Sequence, residues 1–188
     1  MNVVILAAGL GTRMKSSMPK ILHRIFEKPI IDYVIDCAES LKPLHTFVVI
    51  NPSLKEVVEH LEKQEIKIVF QNESKGTAHA LFSALPYLNS DKILILNGDT
   101  PLLRKETLDS FIEIFNKNEV DMAILSFYPQ RQHSYGRILR DEKQKIKRIV
   151  EITDFKDELI LSSEANSGIY ILKREVAELV KEIKENPN

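Results

Sequence analysis

The sequence predicts an α/β fold in which a mostly parallel, doubly wound sheet is joined to a strand-rich lobe. Through about residue 120, short β-branched apolar runs alternate with segments of helical periodicity, the order typical of a parallel sheet covered by helices on both faces. From Met122 onward strand patterns dominate until a final amphipathic helix. We expect the 188 residues to form a single domain with a full core, with two small domains as the alternative.

The individual elements follow from the spacing of apolar residues. Helical spacing is clear where Ile31, Val34 and Ala38 recur three or four residues apart, and the pair Ser53 and Glu56 has the spacing of a capping box. The first half is predicted to contain strands at 3–8, 47–50, 67–70 and 93–96, with helices around 30–41, from 53, from about 77 and at 105–116. The second half is predicted to contain strands at 123–128, 137–139, 146–150 and 167–172 and a helix at 174–184.

The composition argues against several classes of protein. With 26 basic and 27 acidic side chains, the chain has no basic excess that would hold a nucleic acid or an anionic membrane surface. No apolar run approaches the ~18 residues of a membrane span. The single cysteine, Cys37, excludes an internal disulfide, so we expect a reducing, cytoplasmic location.

The loop after the first predicted strand is the strongest candidate for a binding site. Gly9 and Gly11 allow backbone conformations in which successive N–H groups face an anion, and Arg13 and Lys20 can bind phosphate oxygens. The loop is neither a dinucleotide-binding motif, whose third glycine is replaced by Met14, nor a P-loop, which needs Gly-Lys-Ser/Thr. These residues together predict a triphosphate site; a glycine-rich surface turn is the alternative.

Asp99 follows the apolar strand at 93–96, at the edge where open α/β sheets bind ligands. A lone carboxylate there suits Mg²⁺, which takes one or two protein carboxylates and completes its coordination with water and substrate phosphates. The alternative is an aspartate that only stabilises the turn.

Gln71, with Gly76 and Thr77, follows the third predicted strand. A glutamine amide has both a donor and an acceptor and can bind a nucleobase edge, and a glycine lets a ring approach the backbone. The alternative is a polar loop in which Thr77 is only a helix cap.

Three further candidates are spread over the strand-rich half. Gly136, Glu151 and Asn166 lie near predicted strand ends, where hydrogen-bonding groups suit sugar hydroxyls. The alternative is that they are solvated edge residues. The five histidines have no partner at a meaningful spacing, so His79 and the other four are predicted to be structural.

Five groups of residues occur in a specific order along the chain. They are the loop from Leu6 to Met14 with Pro19 and Lys20, then Gln71 with the segment from Gly76 to Ala80, then Gly98 to Leu102, then Tyr135 to Arg137 with Glu151, and last Asn166 with Gly168. In this order they resemble the uridylyltransferase domain of the bacterial UDP-N-acetylglucosamine pyrophosphorylase family. The resemblance covers residue 2 to about residue 172.

The resemblance implies a Rossmann-like nucleotidyltransferase fold with a strand-rich sugar-binding lobe. It implies Mg²⁺-dependent uridylyl transfer from UTP to N-acetylglucosamine 1-phosphate, giving UDP-N-acetylglucosamine and pyrophosphate for cell-envelope precursors. By similarity, the nucleotide would be bound by Leu6, Ala8, Gly9, Gly11, Thr12, Gln71, Gly76 and Thr77. Arg13 and Lys20 would be catalytic at the triphosphate and Asp99 would bind the metal. The sugar would be bound by Gly98, Gly136, Glu151 and Asn166.

The chain also departs from the family pattern. Asn97 stands where the family usually has Tyr, Ile152 and Thr153 where it often has His-Lys, and Ser167 where Thr is usual. Family members continue with a further asparagine at the metal site and a β-helix acetyltransferase domain through which they trimerise. We therefore expect a truncated nucleotidyltransferase domain over 1–188, a monomer with weak or no activity. A cytidylyl-, guanylyl- or other sugar-phosphate nucleotidyltransferase, or a non-catalytic nucleotide-binding module, is the alternative.

Overall fold

A computed structural model describes residues 1–9, 11, 14, 16–73, 75–130, 135–151 and 163–183. The strands in chain order are β1 (Asn2–Leu6), β2 (Arg24–Ile25), β3 (Lys28–Pro29), β4 (His45–Ile50), β5 (Lys67–Phe70), β6 (Lys92–Asn97), β7 (Met122–Phe127), β8 (Arg137–Arg140), β9 (Ile146–Val150) and β10 (Ala165–Lys173). The α-helices are α1 (Ile30–Glu39), α2 (Lys55–Leu61), α3 (Gly76–Ala84), α4 (Lys105–Lys117) and α5 (Arg174–Glu178). The described residues divide into two compact units, one comprising Met1–Ala123 with residues 170–183, the other Ile124–Ile169.

The first unit is built on the predicted parallel sheet. Its strands lie in the order β5, β4, β1, β6, all parallel, and the end of β10 adds an antiparallel strand beside β6. The fold class is therefore confirmed as a mostly parallel, Rossmann-like α/β sheet. None of the helices within the described ranges is long and apolar enough to cross a bilayer.

The core explains why the central strands are apolar without alternation. Val3, Val4 and Ile5 of β1 are all fully buried, as is the run from Ile93 to Leu96 with at most 5% exposure. Since successive side chains of a strand point to opposite faces, both faces of this sheet are covered. On one face Ala80, Leu81 and Ala84 of α3 pack in a cluster with Val4, Phe47, Val49 and Ile95.

The second unit is antiparallel. β8 and β9 form a hairpin, and Ala165 of β10 pairs with Arg137 of β8. The same unit contains the buried carboxylate of Glu164, 6% exposed, which accepts hydrogen bonds from Arg140 and from the Ser126 hydroxyl, all at 2.7 Å. The Arg140 hydrogen bonds hold the pKa of Glu164 below its usual range against the opposing effect of burial.

Two local expectations were wrong, and one element was not predicted. The Ser53 capping box does not form, because Asn51 Oδ1 accepts from both the amide and the hydroxyl of Ser53, and α2 begins only at Lys55. The final helix ends at Glu178 and continues as a 3₁₀ turn over Leu179–Glu182; Lys184 lies outside the described residues. The β2–β3 hairpin was not predicted, because strands of two residues leave no periodic pattern.

Candidate active site

The parallel strands of the first unit end at one edge, and backbone hydrogen bonds extend their pairing into the loops that follow. The Ala7 amide donates to Val49 O at 2.8 Å, the Gly98 amide to Leu6 O at 2.9 Å, and the Gln71 amide to Ile50 O at 2.8 Å. Ala7, Gln71 and Gly98 begin the three loops that contain candidate binding residues, and the sheet itself therefore holds these loops beside one another. This is the edge at which open α/β sheets bind ligands.

The loop after β1 approaches Lys20 closely. Gly11 has a positive φ of 63°, and a Cβ placed on it would lie 2.9 Å from Lys20 Cβ, so both the conformation and the contact require glycine. Ala8 is buried and Gly9 is exposed. Two predicted site residues of this loop, Thr12 and Arg13, lie outside the described residues.

Lys20 and Asp99, predicted to bind phosphate and metal respectively, are in contact. Lys20 Nζ lies 2.6 Å from Asp99 Oδ2, and the two side chains are 40% and 39% exposed. An ion pair this exposed contributes about 0–1 kcal/mol, so a phosphate or a cation can replace either partner at little cost. Within the described residues no three His, Cys, Asp or Glu side chains form a metal-binding group, so Asp99 stands as a lone carboxylate.

Gln71 is buried at the end of β5, with 3% of its surface exposed. Its Nε2 donates to the Gly76 carbonyl oxygen at 3.3 Å and to His79 Nδ1 at 2.9 Å. Gly76 has a φ of +87°, which favours glycine, and open space where a Cβ would lie. The N-cap of α3 is Lys75, so Thr77 lies within the first helical turn and is not the cap.

In the second unit the structure brings together three residues predicted to bind the sugar. The backbone amide of Asn166 donates to the backbone carbonyl oxygen of Gly136 at 2.9 Å, and a Cβ on Gly136 would lie 2.7 Å from Glu151 Oε1. Asn166 Oδ1 in turn accepts from the Gly168 amide at 3.0 Å. The fourth predicted sugar residue, Gly98, belongs to the first unit, where its Cβ would lie 2.9 Å from Ala7 Cβ.

His79, which was predicted to be structural, contacts a residue predicted to bind the base, a contact that the sequence did not predict. Its Nδ1 accepts a hydrogen bond from the side chain of Gln71. The signal was weak, because the two residues are eight positions apart, on a strand end and a helix, and no regular spacing connects such a pair. Only the turn of the chain at Gly76 brings them together.

A parallel sheet whose ligand edge holds a glycine-rich loop, a Lys–Asp pair and a buried glutamine is the arrangement of a nucleotidyltransferase. Residues 3–156 match the family model of the MobA-like NTP transferase domain, and the chain belongs to that family. It is therefore a nucleotidyltransferase domain.

The chain is also similar to curated proteins named bifunctional protein GlmU. It is 86% identical over 188 residues to the one from Thermodesulfovibrio yellowstonii, covering all of this chain and 42% of that protein. It is 38% identical over 176 residues to the one from Alcanivorax borkumensis, covering 94% of this chain and 38% of that protein. These matches confirm the resemblance drawn from the motifs, and the chain spans about two fifths of the length of these relatives.

Solved structures support the fold. HddC from Yersinia pseudotuberculosis superposes with a TM-score of 0.73 at 25% identity, over 100% of this chain and 80% of that one. The inositol-1-phosphate CTP transferase from T. maritima gives a TM-score of 0.74 over 98% of this chain and 75% of that one. Because the identity is 18%, this match supports the fold alone.

Proposed function

We propose that the chain transfers a uridylyl group from UTP to N-acetylglucosamine 1-phosphate and releases pyrophosphate. The observation that carries this proposal is the convergence at one sheet edge of the glycine loop, the Lys20–Asp99 pair and the buried amide of Gln71. A loop suited to phosphates beside an amide suited to a base edge matches the two ends of a nucleoside triphosphate.

The chemistry requires no nucleophile from the protein. An oxygen of the sugar phosphate attacks the α-phosphorus of UTP, a new P–O bond forms, and the bond to the β-phosphate oxygen breaks so that pyrophosphate leaves. Positioning of the two substrates and neutralisation of charge supply most of the catalysis in such transfers. Arg13 and Lys20 supply positive charge at the triphosphate, and Lys20 exchanges its contact with Asp99 for a phosphate oxygen.

Nucleotidyltransferases of this family generally use a divalent metal, and Asp99 fits Mg²⁺. The carboxylate is 39% exposed and, in the part of the chain that the structure describes, its one hydrogen-bond partner is the exchangeable Lys20. A single accessible carboxylate leaves coordination positions for water and phosphate oxygens, which Mg²⁺ prefers. When bound, the ion would neutralise charge on the transferring phosphate.

The amino sugar is assigned to Gly136, Glu151 and Asn166. A Cβ at position 136 would lie 2.7 Å from Glu151 Oε1, so glycine lets that carboxylate lie against the main chain, and the hydrogen bond from Gly168 orients the Asn166 side chain. Carboxylate and amide groups held in this way suit the hydroxyl and amide groups of N-acetylglucosamine.

Pyrophosphate release by the 188-residue chain tests the reaction. With UTP, Mg²⁺ and N-acetylglucosamine 1-phosphate we expect weak but measurable release above background, at the upper end of the weak or absent activity expected from the sequence, and its loss on addition of a chelator. Thermal stabilisation by UTP, CTP and GTP tests the base. We expect the largest shift with UTP, and equal shifts with all three would refute uridine specificity. UTP binding without pyrophosphate release would favour a non-catalytic nucleotide-binding module.

The single domain, the monomeric state and the cytoplasmic location stay predictions.

A further inference from the structure

The orientation of the Gln71 side chain is determined by its neighbours. A carbonyl oxygen can only accept a hydrogen bond, so the end of the amide that faces Gly76 O must be the NH₂ group. The second proton of that NH₂ points to His79 Nδ1 at 2.9 Å. His79 must therefore accept through Nδ1, which makes it the neutral tautomer with its proton on Nε2.

This arrangement leaves a pure acceptor for a ligand. Both protons of the Gln71 amide are used within the protein, and among the described residues none donates to Gln71 Oε1. Uracil has an N–H donor at ring position 3, whereas cytosine has a lone pair at the same position. A buried acceptor held against that position pairs with uracil and repels cytosine.

His79 is itself held in place. It lies in the first turn of α3, where its ring stacks at a tilt on Phe82 with 6.0 Å between centroids, and Ser83 Oγ donates to its carbonyl oxygen at 3.0 Å. The other amide contact, to Gly76 O, is longer at 3.3 Å. Without an acceptor at position 79, only this longer contact to Gly76 O opposes a half-turn of the amide, so the flipped orientation, which presents the NH₂ group to the base and suits cytosine, becomes more populated.

We propose that His79 is a positioning residue: it locks the Gln71 amide with Oε1 towards the base and thereby makes the site select uracil over cytosine. The inference rests on the proposed function, because it assumes that Gln71 contacts the base. It assigns base specificity to a residue that need not touch the nucleotide.

Two substitutions at position 79 separate this role from a structural one. His79→Phe keeps a planar ring beside Phe82 but removes the acceptor. His79→Asn places its Oδ1 as far along the side chain as the histidine Nδ1 and so restores an acceptor. His45→Phe is a matched control. His45 also lies against a phenylalanine ring, that of Phe47, but it is the first residue of β4 and so lies at the end of that strand away from the candidate site.

The measurement is the ratio of dissociation constants for CTP and UTP, by calorimetry with Mg²⁺ on the full chain. We expect the parent to favour UTP, His79→Phe to reduce the ratio by about tenfold to a hundredfold, the range of one unpaired buried polar contact, and His79→Asn and His45→Phe to keep it. A His79→Phe variant that weakens both nucleotides equally, or retains the ratio, overturns the inference while uridine specificity stands. A parent that binds both nucleotides equally overturns the proposed base specificity and this inference with it.

Nitrogen-15 NMR of the parent protein gives a test that needs no substitution. We expect the proton of the His79 ring on Nε2, and a protonated Nδ1 also overturns the proposal.

Discussion

The two units hold their candidate ligand groups by different means. In the first unit, the segments after β1, β5 and β6 are fixed by backbone hydrogen bonds to a sheet buried on both faces. In the second unit, Glu151 is an exposed side chain beside Gly136, and the buried carboxylate of the unit is that of Glu164, which is paired with Arg140. The comparison indicates that the main chain fixes the loops of the first site, whereas the carboxylate of the second site is carried by an exposed side chain that can move.

The largest effect is expected from charge at the triphosphate of the first site. Arg13→Ala should lower turnover by ~10²–10³, because removal of one preorganised donor to developing charge costs on the order of 2.7–4 kcal/mol. Pyrophosphate release by the variant and the parent provides the comparison. Lys117→Ala at the end of α4 is the control and should leave turnover unchanged. A drop of less than tenfold for Arg13→Ala would remove that residue from catalysis.

Rigidity of the first site is tested by Gly98→Ala. The added Cβ would lie 2.9 Å from Ala7 Cβ, 3.0 Å from Ile31 Cδ1 and 3.3 Å from Leu6 O, all parts of a core that cannot yield freely. We expect a loss of about 1–3 kcal/mol in the free energy of unfolding, measured by urea denaturation. Unchanged stability would show that the sheet edge adjusts and would contradict the contrast between the two units.

The ion pair of the second unit should give that unit an acid-sensitive stability. The pKa of Glu164 is lowered in the folded chain, so its contribution is present above the unfolded value of about 4.3 and is lost as pH falls through the lower folded value. Glu164→Gln should cost about 1–2 kcal/mol at pH 7, because it leaves Arg140 without its charged partner.

Denaturation of Glu164→Gln and of the parent at pH 7 and at pH 3 checks this expectation. The parent should lose stability towards acid by more than the variant, since the variant has no carboxylate to protonate at this position. Equal losses in both proteins would show that the ion pair contributes nothing to the pH dependence.

The sequence predicted the sheet and its order of strands and helices along the chain, because the apolar runs at 3–8 and 93–96 are unambiguous, and it correctly indicated that the residues after these two runs fall at one edge. It could not predict contacts between residues far apart in sequence. The hydrogen bond from Gln71 to His79 and the Glu164–Arg140 pair depend on tertiary geometry, unlike the Asn51 turn that replaces the Ser53 cap, which is a local contact between residues two positions apart. Such side-chain pairs have no periodic signal in one sequence.

The same substitution as at Gly98 should have a smaller and different effect at Gly136. A Cβ there would lie 2.7 Å from Glu151 Oε1, the end of a flexible, exposed side chain that can move aside, and 3.1 Å from Ile149 Cγ2. We expect Gly136→Ala to cost less than about 1 kcal/mol of stability but to displace Glu151 and raise the KM for N-acetylglucosamine 1-phosphate by about tenfold, with the KM for UTP unchanged. That split follows because a lost contact to one substrate weakens binding of that substrate alone. An increase in both KM values, or a stability loss equal to that of Gly98→Ala, would show that Gly136 is a rigid part of the fold and that the two sites are held in the same way.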